Sequence, residues 1–339
     1  MSVVLRGVVI TALLCLLWAT GTSAHHSRSA YDTSTFTEVA GELVSVKWTN
    51  PHIVFTLKVT DESGEEELWR MEAGSIYMLR RGGVTPDLFT SGDRVRVAGH
   101  LSRVADRDFL ATNMLFADGR EVLTMPGATS RGNGQVTGGR DRWVEDGVRL
   151  GRAPQDSGIF KVWSIPRGSA AVSQHRPFTA SALAARADWN PTDNFATRCE
   201  QPGMPRIMLN PHPFEFIEAG ATITLLGEEF DMVRTIHLDG AAAPETQQTS
   251  NMGYSAGHWE GDTLVVETSR IDWPFFDSIG TPQSEAVEIV ERFSLSDSEN
   301  RLDYRVTISD PLTLTEPAVI ERYWLALGET VEPFECQVY

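Results

Sequence analysis

The sequence predicts a mainly β protein: a small five-stranded, OB-like barrel, then a larger antiparallel up-and-down β-barrel or sandwich. Three observations predict it. Apolar residues alternate with period two in short runs along most of the chain, as half-buried strands require. Turn residues punctuate those runs at short intervals. The first group of runs falls in the order three strands, one helix, two strands, which is the order of a small OB-type barrel.

The chain has 339 residues, and its first 24 read as a cleavable export signal. Arg6 supplies the positive start, Val8 to Leu17 the apolar core, and Thr22-Ser23-Ala24 a small-x-small cleavage site. The apolar run is shorter than the roughly 20 residues that span a bilayer, so no membrane span is expected after cleavage. A periplasmic or secreted location follows.

The first module is expected over residues 25–125. Val39 to Trp48, His52 to Val59 and Glu67 to Glu72 read as strands. Ser75 caps a short helix that Gly82-Gly83 ends. Asp93 to Ser102 and Phe109 to Phe116 read as the last two strands. Residues 126–152 are rich in Gly, Ser, Thr and charge and read as a linker. Residues 153–206 are irregular apart from a helix over Thr179 to Ala187. From residue 207 to 339 strand signals recur at Arg206–Leu209, Phe214–Glu218, Thr222–Gly227, Met232–Leu238, Gly253–Glu260, Thr263–Glu267, Ala286–Leu295, Leu302–Ser309 and Val319–Leu327. About eight antiparallel strands with short turns predict the second barrel or sandwich.

Charge narrows the partners. With 29 Lys and Arg against 46 Asp and Glu, the formal net charge is −17. Nucleic acid is thereby excluded as an expected partner, because binding phosphate needs a positive field. A small molecule or a metal ion is the expected ligand. Of three cysteines, Cys15 leaves with the signal. Cys199 and Cys336 remain, and in an exported chain they are expected to pair as a disulfide.

Two groups of residues could carry chemistry. Cleavage after Ala24 makes His25 the amino terminus. Its α-amine and ring Nδ1 together chelate one ion, and a further imidazole completes a tetragonal set suited to Cu(II). His26, His52 or His100 could supply that imidazole; His52 follows the breaker Asn50-Pro51 at a strand start. The competing expectation is a frayed, solvated end. The second group lies in the C-terminal strands: Glu229, Arg234 and Glu291 are candidate acid–base residues, with His237 beside them. Residues two apart share a face of a strand, so Arg234 or His237 points inward, but not both. The competing expectation is a solvated outer face. Ser255 sits in Gly253-Tyr254-Ser255-Ala256-Gly257, but the runs around it read as strands, whereas a nucleophile elbow needs a strand-to-helix turn.

Two stretches resemble known families. His25-His26-Ser27, Trp48-Thr49-Asn50-Pro51-His52, Gly74-Ser75, Leu79-Arg80-Arg81-Gly82 and Ser91-Gly92-Asp93-Arg94-Val95 are similar to a family of small exported bacterial domains of uncharacterised function. There too the double histidine follows a signal peptide, which implies that His25, His26 and His52 belong together. Pro202-Gly203-Met204-Pro205-Arg206, Pro213 to Phe216, Trp259 to Val266, Glu291-Arg292-Phe293 and Asp310-Pro311 resemble a second exported family. In it the position of His237 is often aromatic. Both resemblances imply location and not reaction. The expected function is therefore an exported binding protein, with a copper site at the mature amino terminus and a small-molecule cavity in the C-terminal barrel. The alternatives are a periplasmic isomerase, lyase or hydrolase using Glu229, Arg234 or Glu291, and an envelope adaptor.

Overall fold

The structure is a computed structural model that describes residues 30–139, 158–166, 171–190, 193–297, 299–326 and 328–338. The expected signal segment, Cys15, His25, His26 and the second half of the expected linker lie outside the described residues.

Strands β1 (Thr37–Lys47), β2 (Val54–Thr60) and β3 (Glu66–Glu72) form a meander. Helix α1 (Ile76–Arg81) follows, with the Ser75 side chain accepting from the Met78 N–H. Strands β4 (Arg94–Leu101) and β5 (Asp108–Phe116) complete the module. β4 pairs β1, and β5 runs parallel to β3 through Arg70–Asp108, Met71–Phe109 and Glu72–Leu110. That last pairing closes the expected five-stranded barrel. Leu43, Phe55, Leu57, Met71, Val97, Phe109 and Met114 fill it, each without measurable exposure. At the β4 bulge a side chain on Gly99 would meet the Leu110 carbonyl oxygen at 1.9 Å, so only glycine fits.

The stretch read as a linker begins with ordered structure. Strand β6 (Glu121–Leu123) extends the sheet from β5, and β7 (Val136–Gly138) pairs parallel to β6. The Glu121 carboxylate holds the chain between them, accepting from Ser130 Oγ and from the Arg131 and Gly132 N–H groups. Composition alone missed this because one buried acid, not an apolar stripe, organises the segment. Burial pushes the Glu121 carboxyl up, but these donors and Asn113 outweigh it and hold it below its ordinary value.

The larger sheet has ten strands in the order β8-β10-β11-β12-β13-β14-β15-β16-β17-β9. They are β8 (Val162–Trp163), β9 (Ala171–His175), β10 (Phe214–Ala219), β11 (Thr222–Gly227), β12 (Met232–His237), β13 (Tyr254–Glu260), β14 (Thr263–Ser269), β15 (Glu288–Leu295), β16 (Arg301–Ser309) and β17 (Ala318–Leu325). The sheet curls until Ser164, next to β8, exchanges backbone hydrogen bonds of 2.9 and 2.8 Å with Leu325 of β17. All neighbours are antiparallel except β12 and β13, which pair in parallel. Inside, a file of rings fills the curl: Phe216 on Phe293, Phe293 on Tyr304, Tyr304 on Trp324 and Trp324 on Phe214, at 4.8–5.2 Å between centroids.

Two readings change in this region. The segment expected to be irregular apart from one helix, 153–206, holds that helix as α2 (Ala180–Asp188), capped by Thr179, and also supplies the strands β8 and β9. Arg206–Leu209 is a turn of 3-10 helix, not a strand. Pro205 and Pro211 bracket it, and its N–H groups bond locally, Ile207 to the Gly203 carbonyl and Met208 to that of Pro205.

Cys199 and Cys336 are joined as expected. The bridge ties the tail beneath the first barrel. Asn50 Nδ2 donates to the Phe334 carbonyl at 2.6 Å, and the Gln337 N–H donates to the Asn50 carbonyl at 3.0 Å. From α1, Arg80 reaches Glu228 at 3.2 Å and Arg81 reaches the Ile165 carbonyl at 2.6 Å.

Two outcomes are expected. Cys336→Ser lowers unfolding free energy by roughly 3–5 kcal/mol, since the bridge closes a loop of well over a hundred residues. Hydrogen exchange then speeds at the Phe334 and Gln337 amides; unchanged protection there contradicts the clamp. A carboxylate held low contributes stability above its unfolded value and loses it as pH falls through the folded one. The Arg131 and Gly132 amides should therefore lose exchange protection on acidification before the barrel core does, and Glu121→Gln should remove that pH step.

Candidate functional site

His52 stands just past Asn50-Pro51, where the chain leaves the clamp and enters β2. Its ring Nδ1 is 3.0 Å from the Ala73 carbonyl oxygen. A carbonyl only accepts, so the ring donates from Nδ1, and Nε2 carries the lone pair in the neutral tautomer. The same Nδ1 is 3.8 Å from Glu72 Oε1, a carboxylate whose side chain is 3% exposed.

Glu72 belongs to a buried ionic group at the β3–β5 seam. Arg70 donates to Glu72 Oε2 at 3.0 Å and to Asp108 Oδ1 at 2.8 Å. Tyr31 donates from its hydroxyl to Asp108 Oδ2 at 3.4 Å. Burial works against the Arg70 charge, but the two carboxylates overcome it and raise its pKa. Burial, with Glu72 and Asp108 adding, holds the Tyr31 phenol neutral. Two carboxylates face one guanidinium, so the group favours a further cation nearby. Tyr31 is itself anchored: it bridges to Ser102 and packs with Ala30, Leu110 and Met125. The described structure therefore begins, at Ala30 and Tyr31, on this patch.

His100 lies elsewhere along the seam. It is paired with Leu110, which is paired with Glu72, so about two strand spacings, ~10 Å, separate His100 from Glu72. Its Nδ1 is 2.6 Å from the Thr35 carbonyl oxygen. Among the described residues no cluster of three or more His, Cys, Asp or Glu has metal-binding geometry. His25 and His26 fall outside them.

The C-terminal candidates separate. Arg234 points inward and His237 does not, as the alternation requires; His237 stacks on Tyr254 at 4.7 Å. Arg234 and Glu291 form a bidentate pair, both side chains at most 1% exposed. Arg234 also donates to Ser255 Oγ at 2.9 Å and Thr268 Oγ1 at 2.8 Å, and Tyr304 donates to Glu291 at 2.9 Å. The network crosses β12 to β16, one residue from each strand. Burial first, then the Glu291 charge, raises the Tyr304 phenol well above its usual range. Ser255, in strand β13, serves this network and sits on no nucleophile elbow. Glu229 is apart, in a tight 3-10 turn where it accepts from Asn210.

With the geometry in place, the comparison with protein families adds one finding. Residues 12–111 match a family of unknown function, DUF6152. The matched stretch holds Asn50, His52, Arg70, Glu72 and Asp108, and with them most of the first barrel. No curated protein matches the chain. Among the described residues no helix is long and apolar enough to cross a membrane.

Sequence reasoning singled out His52, Arg234 and Glu291 but missed Arg70, Glu72, Asp108 and Tyr31. The only signal of Arg70, Glu72 and Asp108 was charge in or beside strands that otherwise alternate, and Tyr31, before the first strand, gave none. Removing one partner of the buried pair leaves the other unpaired, so Arg234→Met or Glu291→Leu alone should cost about 3–5 kcal/mol. The double variant should cost less than either single, by urea unfolding. A double that costs the sum of the singles shows that the two side chains do not act as a pair.

Proposed function

We propose that the protein is exported and binds copper through its mature amino terminus, with His25 as chelate and His52 as the imidazole supplied by the barrel. One observation carries the reading. The ring of His52 is oriented by the Ala73 carbonyl, beside the acidic Glu72–Arg70–Asp108 group that also receives Tyr31. Hydrogen-bonding the distal ring nitrogen of a ligating histidine sets its tautomer and aim. From Tyr31 back to residue 25 is six residues, an extended reach of at most about 20 Å. That is ample for an end anchored at Tyr31, whose bonded partner Asp108 shares Arg70 with the neighbour of His52.

The donor set fits the ion. An α-amine and imidazole nitrogens suit Cu(II) in a tetragonal arrangement. Bound there, copper would supply redox capacity or a carried ion; the chain's own residues hold and orient it. The periplasmic or secreted location follows from the export signal and agrees with the Cys199–Cys336 bridge, which suits an oxidising compartment.

The test is to express the precursor with its own signal, establish the mature terminus by mass spectrometry and titrate Cu(II). Protein that begins at His25 should bind at least ~10-fold more tightly than protein carrying one added N-terminal residue, and than His52→Ala. Equal affinities for all three would refute the site.

A further inference from the structure

Arg176, Arg206 and Arg322 lie outside both groups described above. Arg322 is an inward-facing residue of β17, between Ile320 and Trp324, and is 7% exposed. Its Nη1 donates to the Met208 carbonyl at 3.3 Å, in the turn that Arg206 opens. Arg176 follows β9, the strand paired with β17, and its guanidinium stands 5.9 Å from the Phe276 ring centroid. The Nε of each of the three is buried without a hydrogen-bond partner.

Among the described residues no carboxylate comes within ion-pair distance of any of the three. Asp277 and Glu229, whose fields reach Arg206, are already engaged. Asp277 accepts from the Ile279 and Thr281 N–H groups and from Thr281 Oγ1, and Glu229 from Asn210. Burial lowers the pKa of all three, Arg322 to about 10, with repulsion from Arg176 and Arg206 adding to it. Among the described residues none of the acidic side chains is ion-paired to this cluster, while buried Arg234 has a bidentate partner in Glu291. Arg322 is buried, and Arg176 and Arg206 are half-buried; guanidinium groups drawn out of water are ordinarily paired, and their planar donors match carboxylate and phosphate oxygens.

We propose that Arg176, Arg206 and Arg322 form a binding site for the oxyanion group of a small molecule, a carboxylate or a phosphate, which supplies the counter-charge that no described residue places within ion-pair distance. Gly203, three residues before Arg206, seats the turn: a side chain there would strike the Trp273 ring at 2.6 Å and the Asn251 carbonyl oxygen at 2.3 Å. The site does not involve His52 and stands or falls separately from copper binding.

The test is calorimetry and thermal denaturation of the mature chain in chloride buffer, with inorganic phosphate in one arm and benzoate in the other. At least one ion should bind saturably, one per chain, and raise the melting temperature; the arm that does so identifies the anion class. Arg206→Gln and Arg322→Gln should weaken that binding at least ~10-fold, the loss of a charge-assisted hydrogen bond. Arg305→Gln, on the outer face, should leave it unchanged. Should Arg322→Gln fail to fold, Arg206→Gln decides. Absence of saturable binding in both arms, or equal binding by Arg206→Gln, overturns the site.

Discussion

The Asn50 carboxamide is the constraint on which the arrangement depends. Its Nδ2 holds the Phe334 carbonyl, its Oδ1 accepts from the Ile76 N–H at the start of α1, and its backbone carbonyl accepts from Gln337. One buried residue thus ties together the entry to β2, the first helix and the tail that Cys336 secures to Cys199. His52 lies two residues further on, so the same clamp sets where its ring begins. Around it, α1 adds Arg80 on Glu228 and Arg81 on the Ile165 carbonyl, and the Tyr77 and Phe334 rings flank His212.

Buried charge is handled in three different ways in this acidic chain. Arg234 and Glu291 neutralise each other inside a hydrogen-bonded network, an arrangement that specifies one register across β12 to β16. The Arg70 group sets two carboxylates, Glu72 and Asp108, around one guanidinium beside His52. The three arginines near Phe276 are left with an excess of guanidinium. The first arrangement is complete among the described residues; the other two are where we propose a cation and an anion to bind.

Much of this was legible in the sequence. Strict alternation in Met232 to His237 put Arg234 on the face of Ile236, and the structure buries both. Ser75 announced its helix through the side-chain oxygen that caps it. The five-strand barrel followed from element order alone. What was not legible arises from partners distant in the chain. Glu72 meets Asp108 only because β3 and β5 close the barrel in parallel. The arginine cluster joins an edge strand, a proline-bounded turn and the last strand. Short strands such as β7 and β8 carry too few residues for a period to show. Arg206–Leu209 has the composition of a strand but the hydrogen bonds of a turn.

The central claim is that His52 is a copper ligand together with the mature amino terminus. Electron paramagnetic resonance of the Cu(II)-loaded mature protein tests it most directly. The account predicts an axial spectrum with coupling from the amine and at least two imidazole nitrogens, and loss of one imidazole coupling in His52→Ala. A spectrum unchanged by that substitution would contradict it.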